Sequence, residues 1–389
     1  MLTSLSAAEL RQAVLRFRDA LRAHQEELNR LNVYPVPDGD TGTNMALTLE
    51  SVAGALAEAE TMEEVCEAIS RGSLMGARGN SGVITSQILR GLVDDFRPLE
   101  QIDAAAFVAG LRRGADAAYQ AVMRPVEGTI LTVVRAAAES VAESRAAFAD
   151  MLGVAYDAAC AAVEKTPELL PVLRDAGVVD AGGKGFTLLL AAMLEVVADR
   201  PIPEPSLAVA TPAAVAKHLS GDDMSSLRYE VMYLLDATDD TMEGFRSAWG
   251  AIGDSIVIVG GDGLWNCHIH TNEIGAAIEA GVDAGRPHKI RVTDLFEEVE
   301  EEQWVREASA GLAAGDLPPV ETAVVAVGVG EGVQRLLSSL GVQRIIAGGQ
   351  SMNPSTEQIL DAVNACNASS VIVLPDNKNI VPVAKQVDD

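Results

Sequence analysis

NVYPVPDGDTGTNM, residues 32–45, is the stretch on which the first half of the chain turns. Asp38 and Asp40 flank one glycine, and small hydroxyl and amide residues follow. Two carboxylates about 4 Å apart repel by roughly 4 kcal/mol at an effective dielectric near 20, a cost that a divalent cation reverses. Mg²⁺ is held by one or two carboxylates with phosphates and waters, and Thr41, Thr43 and Asn44 add hard oxygen or amide groups beside the pair, with Asn32 a candidate further ligand. The plainer reading is a polar helix connection with Asx-turns and an N-cap.

Outward from this loop the period is helical from Ser6 to about Arg200. Leu10, Val14, Leu15, Phe17, Leu21, Leu28 and Leu31 follow three- and four-residue steps, and similar segments run near 45–60, 62–73, 82–95, 103–121, 128–143, 146–165 and 185–198. The expectation is about eight helices and no strand. Three more glycine-bearing loops open helices: GARGNSGV (76–83) with Asn80, Ser81 and Gly82, RPVEGTIL (124–131) with Glu127, Gly128 and Thr129, and GVVDAGGKGF (177–186) with Asp180, Gly182 and Gly183. A helix N-terminus offers free N–H groups and the positive dipole end, a seat for phosphate, although each loop also reads as an ordinary cap and turn. Four such loops could converge at one end of a bundle. Lys184 is not a P-loop lysine, because the spacing from Gly177 is one residue too long and Gly185 replaces the hydroxyl residue. VGVGEG (327–332) reads as a tight βα turn, since no acidic residue closes the next strand to receive a ribose.

PIPEPSLAVATP, residues 201–212, carries four prolines and reads as a linker, because Pro fixes φ and removes a donor. Beyond it, 213–315 reads as a middle α/β domain. Its strand runs are YEVMYLLD, SIVIV and LWNCHIH, its helices lie near 242–252, 274–285 and 294–311, and a hairpin over 255–270 turns at Gly260–Gly263. Residues 320–389 read as βαβαβ, with strands at 323–328, 343–347 and 370–375, the opening of a parallel sheet that stops where another covering helix is due. The expectation is a truncated chain.

The whole has 389 residues, 48% hydrophobic, enough for two or three cores. A formal net charge of −27 disfavours nucleic acid and anionic membrane as partners. Cys66, Cys160, Cys267 and Cys366 lie far apart without a C-x-x-C pair, and neither a signal sequence nor an uncharged membrane-length apolar run is read, so the expected location is cytoplasmic.

Together the four loop motifs resemble the kinase domain of the dihydroxyacetone-kinase L-subunit type over about the first 200 residues. The resemblance implies a barrel of eight antiparallel helices with ATP and magnesium held at one end. It implies Asp38 and Asp40 as magnesium ligands and catalytic residues. Thr41, Gly42, Thr43, Asn44, Asn80, Ser81, Gly82 and Thr129 would line the nucleotide, and Asp180, Gly182 and Gly183 would close the pocket. HIHTN (268–272), GGQSMNPSTEQIL (348–360) and LPDNKNI (374–380) extend the similarity to the bacterial fatty acid kinase catalytic subunits. That family implies phosphoryl transfer from ATP to a fatty acid carried by a DegV-family acyl-binding protein. A dihydroxyacetone-type kinase and a non-catalytic nucleotide-binding regulator are the alternatives, and the oligomeric state is left open with a homodimer as candidate.

His268 and His270 project from one strand face while Cys267 points to the other, which makes the histidines a candidate Zn²⁺ pair in need of a third ligand. By resemblance that ligand is a cysteine of the neighbouring strand aligned with Arg228–Glu230, where this chain instead reads Arg-Tyr-Glu and Glu230 could substitute. Two histidines hydrogen-bonded in a domain seam is the competing reading.

Overall fold

The computed structural model describes residues 2–206, 227–297, 320–328, 333, 336–337, 340–348, 354, 356–377 and 380–387. They group into two compact units, one of Met1–Pro37 with Thr41–Asp294, the other of Asp38–Asp40 with Leu295–Asp389.

In the first unit, ten helices stand among the described residues up to 206: α1 (Ala7–Ala23), α2 (Gln25–Leu31), α3 (Thr41–Ala55), α4 (Met62–Gly76), α5 (Gly79–Phe96), α6 (Ala104–Ala121), α7 (Ile130–Val141), α8 (Phe148–Leu169), α9 (Pro171–Ala176) and α10 (Ala181–Ala198). The expected eight become ten for two reasons. The first apolar run breaks at His24, whose buried ring bonds Glu27 at 2.6 Å and the Pro203 carbonyl at 2.9 Å. After α8, Pro171 starts a short α9, which Gly177 ends in the left-handed conformation at φ 69°. Capping boxes at Ser6/Glu9 and Thr61/Glu64 set the starts of α1 and α4.

Each long helix packs on its neighbour in the series α1, α3, α4, α5, α6, α7, α8, α10, and α10 packs in turn on α1. Their apolar stripes share one core that includes Phe17, Leu49, Phe96, Phe107, Val134, Met151 and Leu189. α10 is the one described helix long and apolar enough to cross a membrane, yet 72% of it is buried in this core, as befits a central helix.

The same unit holds a four-stranded antiparallel sheet of order β2-β3-β1-β4, built from β1 (Tyr229–Asp236), β2 (Gly253–Gly261), β3 (Leu264–Thr271) and β4 (Arg286–Asp294). The expected hairpin is β2–β3. One sheet face carries Val231, Tyr233, Ile258, Cys267 and Ile269 against α11 (Met242–Ile252) and α12 (Ile274–Ala284). The other face sets Met232, Val257 and Val259 against Leu74, Ala77, Val83 and Ala121 of the helical region. Asn266 donates to the Leu74 carbonyl at 3.0 Å, and Val122 bridges Val257. β4 was not expected from the sequence. It is an edge strand, largely exposed and bulged beside Lys289 (φ 55°), so no two-residue apolar period marks it.

The second unit contains a parallel sheet of order β6-β5-β7, from β5 (Val320–Gly328), β6 (Arg344–Ala347) and β7 (Ala368–Leu374), with α13 (Thr356–Asn364) and α14 (Val381–Lys385). Val325, Val327, Ile346, Ile359 and Ile380 form its core. Of the expected linker, 201–206 has neither helix nor strand, and 207–212 lies outside the described residues. So do most of the helix expected over 294–311 and, within the run 348–360, residues 349–353 and 355.

Candidate functional site

Glycine brings four helix starts together at one end of the helical region. A β-carbon on Gly79 would stand 2.3 Å from the Asn44 amide nitrogen, and one on Gly82 would stand 2.4 Å from the Thr48 hydroxyl, so the first turn of α5 lies against the first half of α3, backbone to side chain. Gly79 also needs its positive φ of 54°. A β-carbon on Gly183 would stand 2.6 Å from Val133 and one on Gly182 would stand 3.3 Å from Ile130, which joins the starts of α10 and α7, while one on Gly185 would stand 2.6 Å from Met45 and ties α10 to α3.

The polar groups at this end divide into those used by the fold and those left over. Asp180 caps α10, accepting from the Gly183 N–H at 2.6 Å and from the Ile130 N–H. Burial raises its carboxyl to about 6 against the lowering effect of those two bonds. Thr129 caps α7 and donates its own proton to the Val126 carbonyl at 2.8 Å. Asn32 bonds the Val36 carbonyl at 2.8 Å through its amide nitrogen and accepts from the Thr41 hydroxyl through its oxygen. Asn80 is different: its side-chain oxygen is buried and has no hydrogen-bond partner among the described residues. Lys184 faces Glu27 at 4.0 Å. Tyr34, in the loop before Asp38, is raised by burial and by the carboxylates of Asp254 and Asp180, so the helical end lies near the start of β2. Asp38 and Asp40 are half-buried on either side of Gly39 (φ 67°), and Asp40 immediately precedes α3.

A second cluster lies on the sheet face turned toward the helical region. Glu230 pairs with His270 across β1 and β3, and the ligand atoms of Glu230, His268 and His270 all lie within 4.8 Å of one another. His268 is fully buried, 3.5 Å from Glu230 Oε2, and neither ring nitrogen makes a hydrogen bond among the described residues. The reading as two hydrogen-bonded seam histidines therefore fails at His268. Burial holds the imidazolium of His268 well below its usual range, aided by the adjacent His270, and lowers His270 to about 4 against the opposing charge of Asp254. Two neutral imidazoles and a carboxylate at this spacing are a tridentate donor set for a divalent metal.

Three family descriptions cover most of the chain: the DAK2 domain matches residues 35–195, the FakA-like (fatty acid kinase) middle domain 226–302, and the FakA-like C-terminal domain 323–389. Protein YloV of Bacillus subtilis is 37% identical over 98% of this chain and 72% of its own length. The chain belongs to the DAK2 and FakA-like fatty acid kinase family. Protein SSP1546 of Staphylococcus saprophyticus is 33% identical over 99% of the chain and 73% of its own length. Among solved structures, the dihydroxyacetone kinase of C. freundii in complex with AMP-PNP and Mg²⁺ aligns with 50% of this chain and 35% of its own, at a TM-score of 0.37 and 21% identity.

In this DAK2 and FakA-like chain, the nucleotide-lining residues expected from the motifs fall on the starts of α3, α5, α7 and α10, whereas Asn32 ends α2 and Asp38 and Asp40 lie in the loop before α3. Gly42, Asn44, Ser81 and Gly82 sit in first turns, whereas Thr129 and Asp180 are the caps themselves. Sequence reasoning passed over Gln25 and Asn29, whose amides meet Thr43, and over Tyr34 and Asp254. On the chain Gln25 and Asn29 look like a solvated helix face, and only the fold of α2 onto α3 buries Asn29 and half-buries Gln25.

Proposed function

We propose that the chain is an ATP-dependent kinase that transfers the γ-phosphoryl group to a fatty acid carried by a DegV-family acyl-binding protein, yielding an acyl phosphate. The observation that carries this reading is the gathering of four glycine-bearing helix starts at one end, with the buried Asn80 oxygen left unpartnered there among the described residues. Family membership supports a phosphotransferase in general. The packing series of eight longer helices, closed by α10 on α1, supports reading the helical region as an antiparallel barrel with the nucleotide at one end. A cytoplasmic location belongs to the same proposal.

Asp38 and Asp40 would hold Mg²⁺; their two carboxylates fit that ion's preference for hard oxygen. When bound, the ion neutralises charge on the β- and γ-phosphates. The first-turn N–H groups of α3 and α5 would grip phosphate oxygens, and Asn80 with Ser81 would orient the nucleotide. A fatty acid oxygen forms the new bond to the γ-phosphorus as the bond to the β–γ bridging oxygen breaks, with ADP taking the electron pair. A carboxylate with a pKa of about 4 to 5 is already ionised at neutral pH, so the step needs no strong base. Shielding two anions from each other is the protein's main task.

Glu230, His268 and His270 would hold Zn²⁺ on the sheet face turned toward the helices, where it would tie β1 to β3. The test of the kinase reading is ATP consumption with a fatty acid and a DegV-type protein, compared with dihydroxyacetone. Asp38→Asn and Asp40→Asn should each abolish turnover while leaving the melting curve in place. Undiminished turnover in either variant overturns the assignment.

A further inference from the structure

We infer that Gln25 and Asn29 are positioning residues that make the Thr43 hydroxyl a one-way donor toward a phosphate oxygen at the start of α3. The inference rests on reading this end as a nucleotide site.

Thr43 is 4% exposed. Its peptide N–H donates to Asn29 Oδ1 at 3.1 Å, and because a peptide N–H can only donate, that contact fixes the orientation of the Asn29 amide. The Asn29 nitrogen must then face the Thr43 hydroxyl, to which it donates at 3.0 Å. Gln25 Nε2 donates to the same oxygen at 3.1 Å. A hydroxyl oxygen has two acceptor lone pairs and one proton. Both lone pairs are filled, so only the proton remains, and it meets no acceptor among the described residues.

Nearby hydroxyls behave otherwise. Thr41 donates to Asn32, Thr48 to the Asn44 carbonyl and Thr129 to the Val126 carbonyl, so each proton is already committed. The close approach that lets two amides reach Thr43 is itself built in: a β-carbon on Gly42 would fall 2.2 Å from the Gln25 carbonyl oxygen, so only glycine admits α2 at this range. An obligate donor beside a helix start needs an acceptor oxygen, and on the nucleotide reading of this end a phosphate oxygen, which carries charge and sits at a helix start, is the one it matches.

The test uses the full chain and measures affinity for Mg²⁺ with the nonhydrolysable analogue AMP-PNP by calorimetry, alongside thermal melting. Thr43→Val, isosteric without the hydroxyl, should weaken binding about tenfold, and Thr43→Ser should restore it. Asn29→Asp still accepts from the Thr43 N–H but turns the donor into an acceptor, drawing the hydroxyl proton away from ligand. Its added charge also repels phosphate, and this second effect persists in the Thr43→Val background. The loss caused by Asn29→Asp should therefore be several-fold larger with Thr43 present than in the Thr43→Val background, and Gln25→Glu should show the same dependence. Equal losses in both backgrounds, or undiminished binding by Thr43→Val, overturn the positioning role alone. A parent chain that binds no AMP-PNP overturns the nucleotide reading and this inference with it.

Discussion

Gly79 and Asn44 are packed so closely that a methyl group on the glycine would stand 2.3 Å from the asparagine amide nitrogen. This contact holds the first turn of α5 on the first turn of α3, and Gly79 reaches it at φ 54°. Gly79→Ala should therefore lose stability by roughly 1–2 kcal/mol from the left-handed backbone alone, and it should also push Asn44 aside. Chemical denaturation and AMP-PNP calorimetry on one preparation check this. A variant of parental stability and affinity would show the contact to be incidental.

Asp180 makes a pH-dependent prediction. Its folded-state pKa is raised to about 6, so between its ordinary value near 4 and 6 the folded chain binds more protons than the unfolded one. Stability from this group is therefore greatest on the acid side and is lost as pH rises through 6, by up to roughly 3 kcal/mol. Asp180→Asn keeps an acceptor for the Gly183 N–H and should gain stability relative to the parent as pH moves from 5 to 7.5. Parallel melting profiles for the two proteins would remove Asp180 as a buried acid.

The sheet cluster runs in the opposite direction. His270 is lowered to about 4, so the unfolded chain binds more protons between 4 and the usual histidine range near 6.5, and stability is lost as pH falls across that window. Metal binding adds the same trend, because imidazole must be neutral to coordinate. Zinc added to chelator-treated protein should bind at one equivalent and raise the melting temperature, and Glu230→Gln should weaken that binding at least tenfold. Absence of saturable zinc binding by the parent would dismiss the site.

Asn266 anchors the sheet to the helical region through its bond to the Leu74 carbonyl. Asn266→Ala leaves that buried carbonyl without its partner and should cost about 1–3 kcal/mol in urea denaturation. A loss under about 0.5 kcal/mol would mean that water replaces the amide without penalty.

How far the fold could be read in advance depended on burial on one face. α11 and α12 lie where three- and four-residue apolar steps place them, and β1 coincides with YEVMYLLD, because each element has one side on a core. β4 escaped because an exposed, bulged edge strand has no buried side to print a period on the chain. The break at His24 escaped for another reason: one of the two partners of its buried ring, the Pro203 carbonyl, lies 179 residues away.

The chain alone determined the residue types at the motif loops, the helical period of the first half and the change of period beyond the prolines, since each is a local matter of side-chain chemistry and spacing. Only the tertiary structure decided that four separate loops share one end, that Asn29 and Gln25 close on Thr43, and that Glu230 stands across from His270 on the face that buries His268. Those are distances between residues far apart or on different elements. They are set by how apolar faces pack and by where glycine lets two backbones meet, which no single stretch of residues encodes.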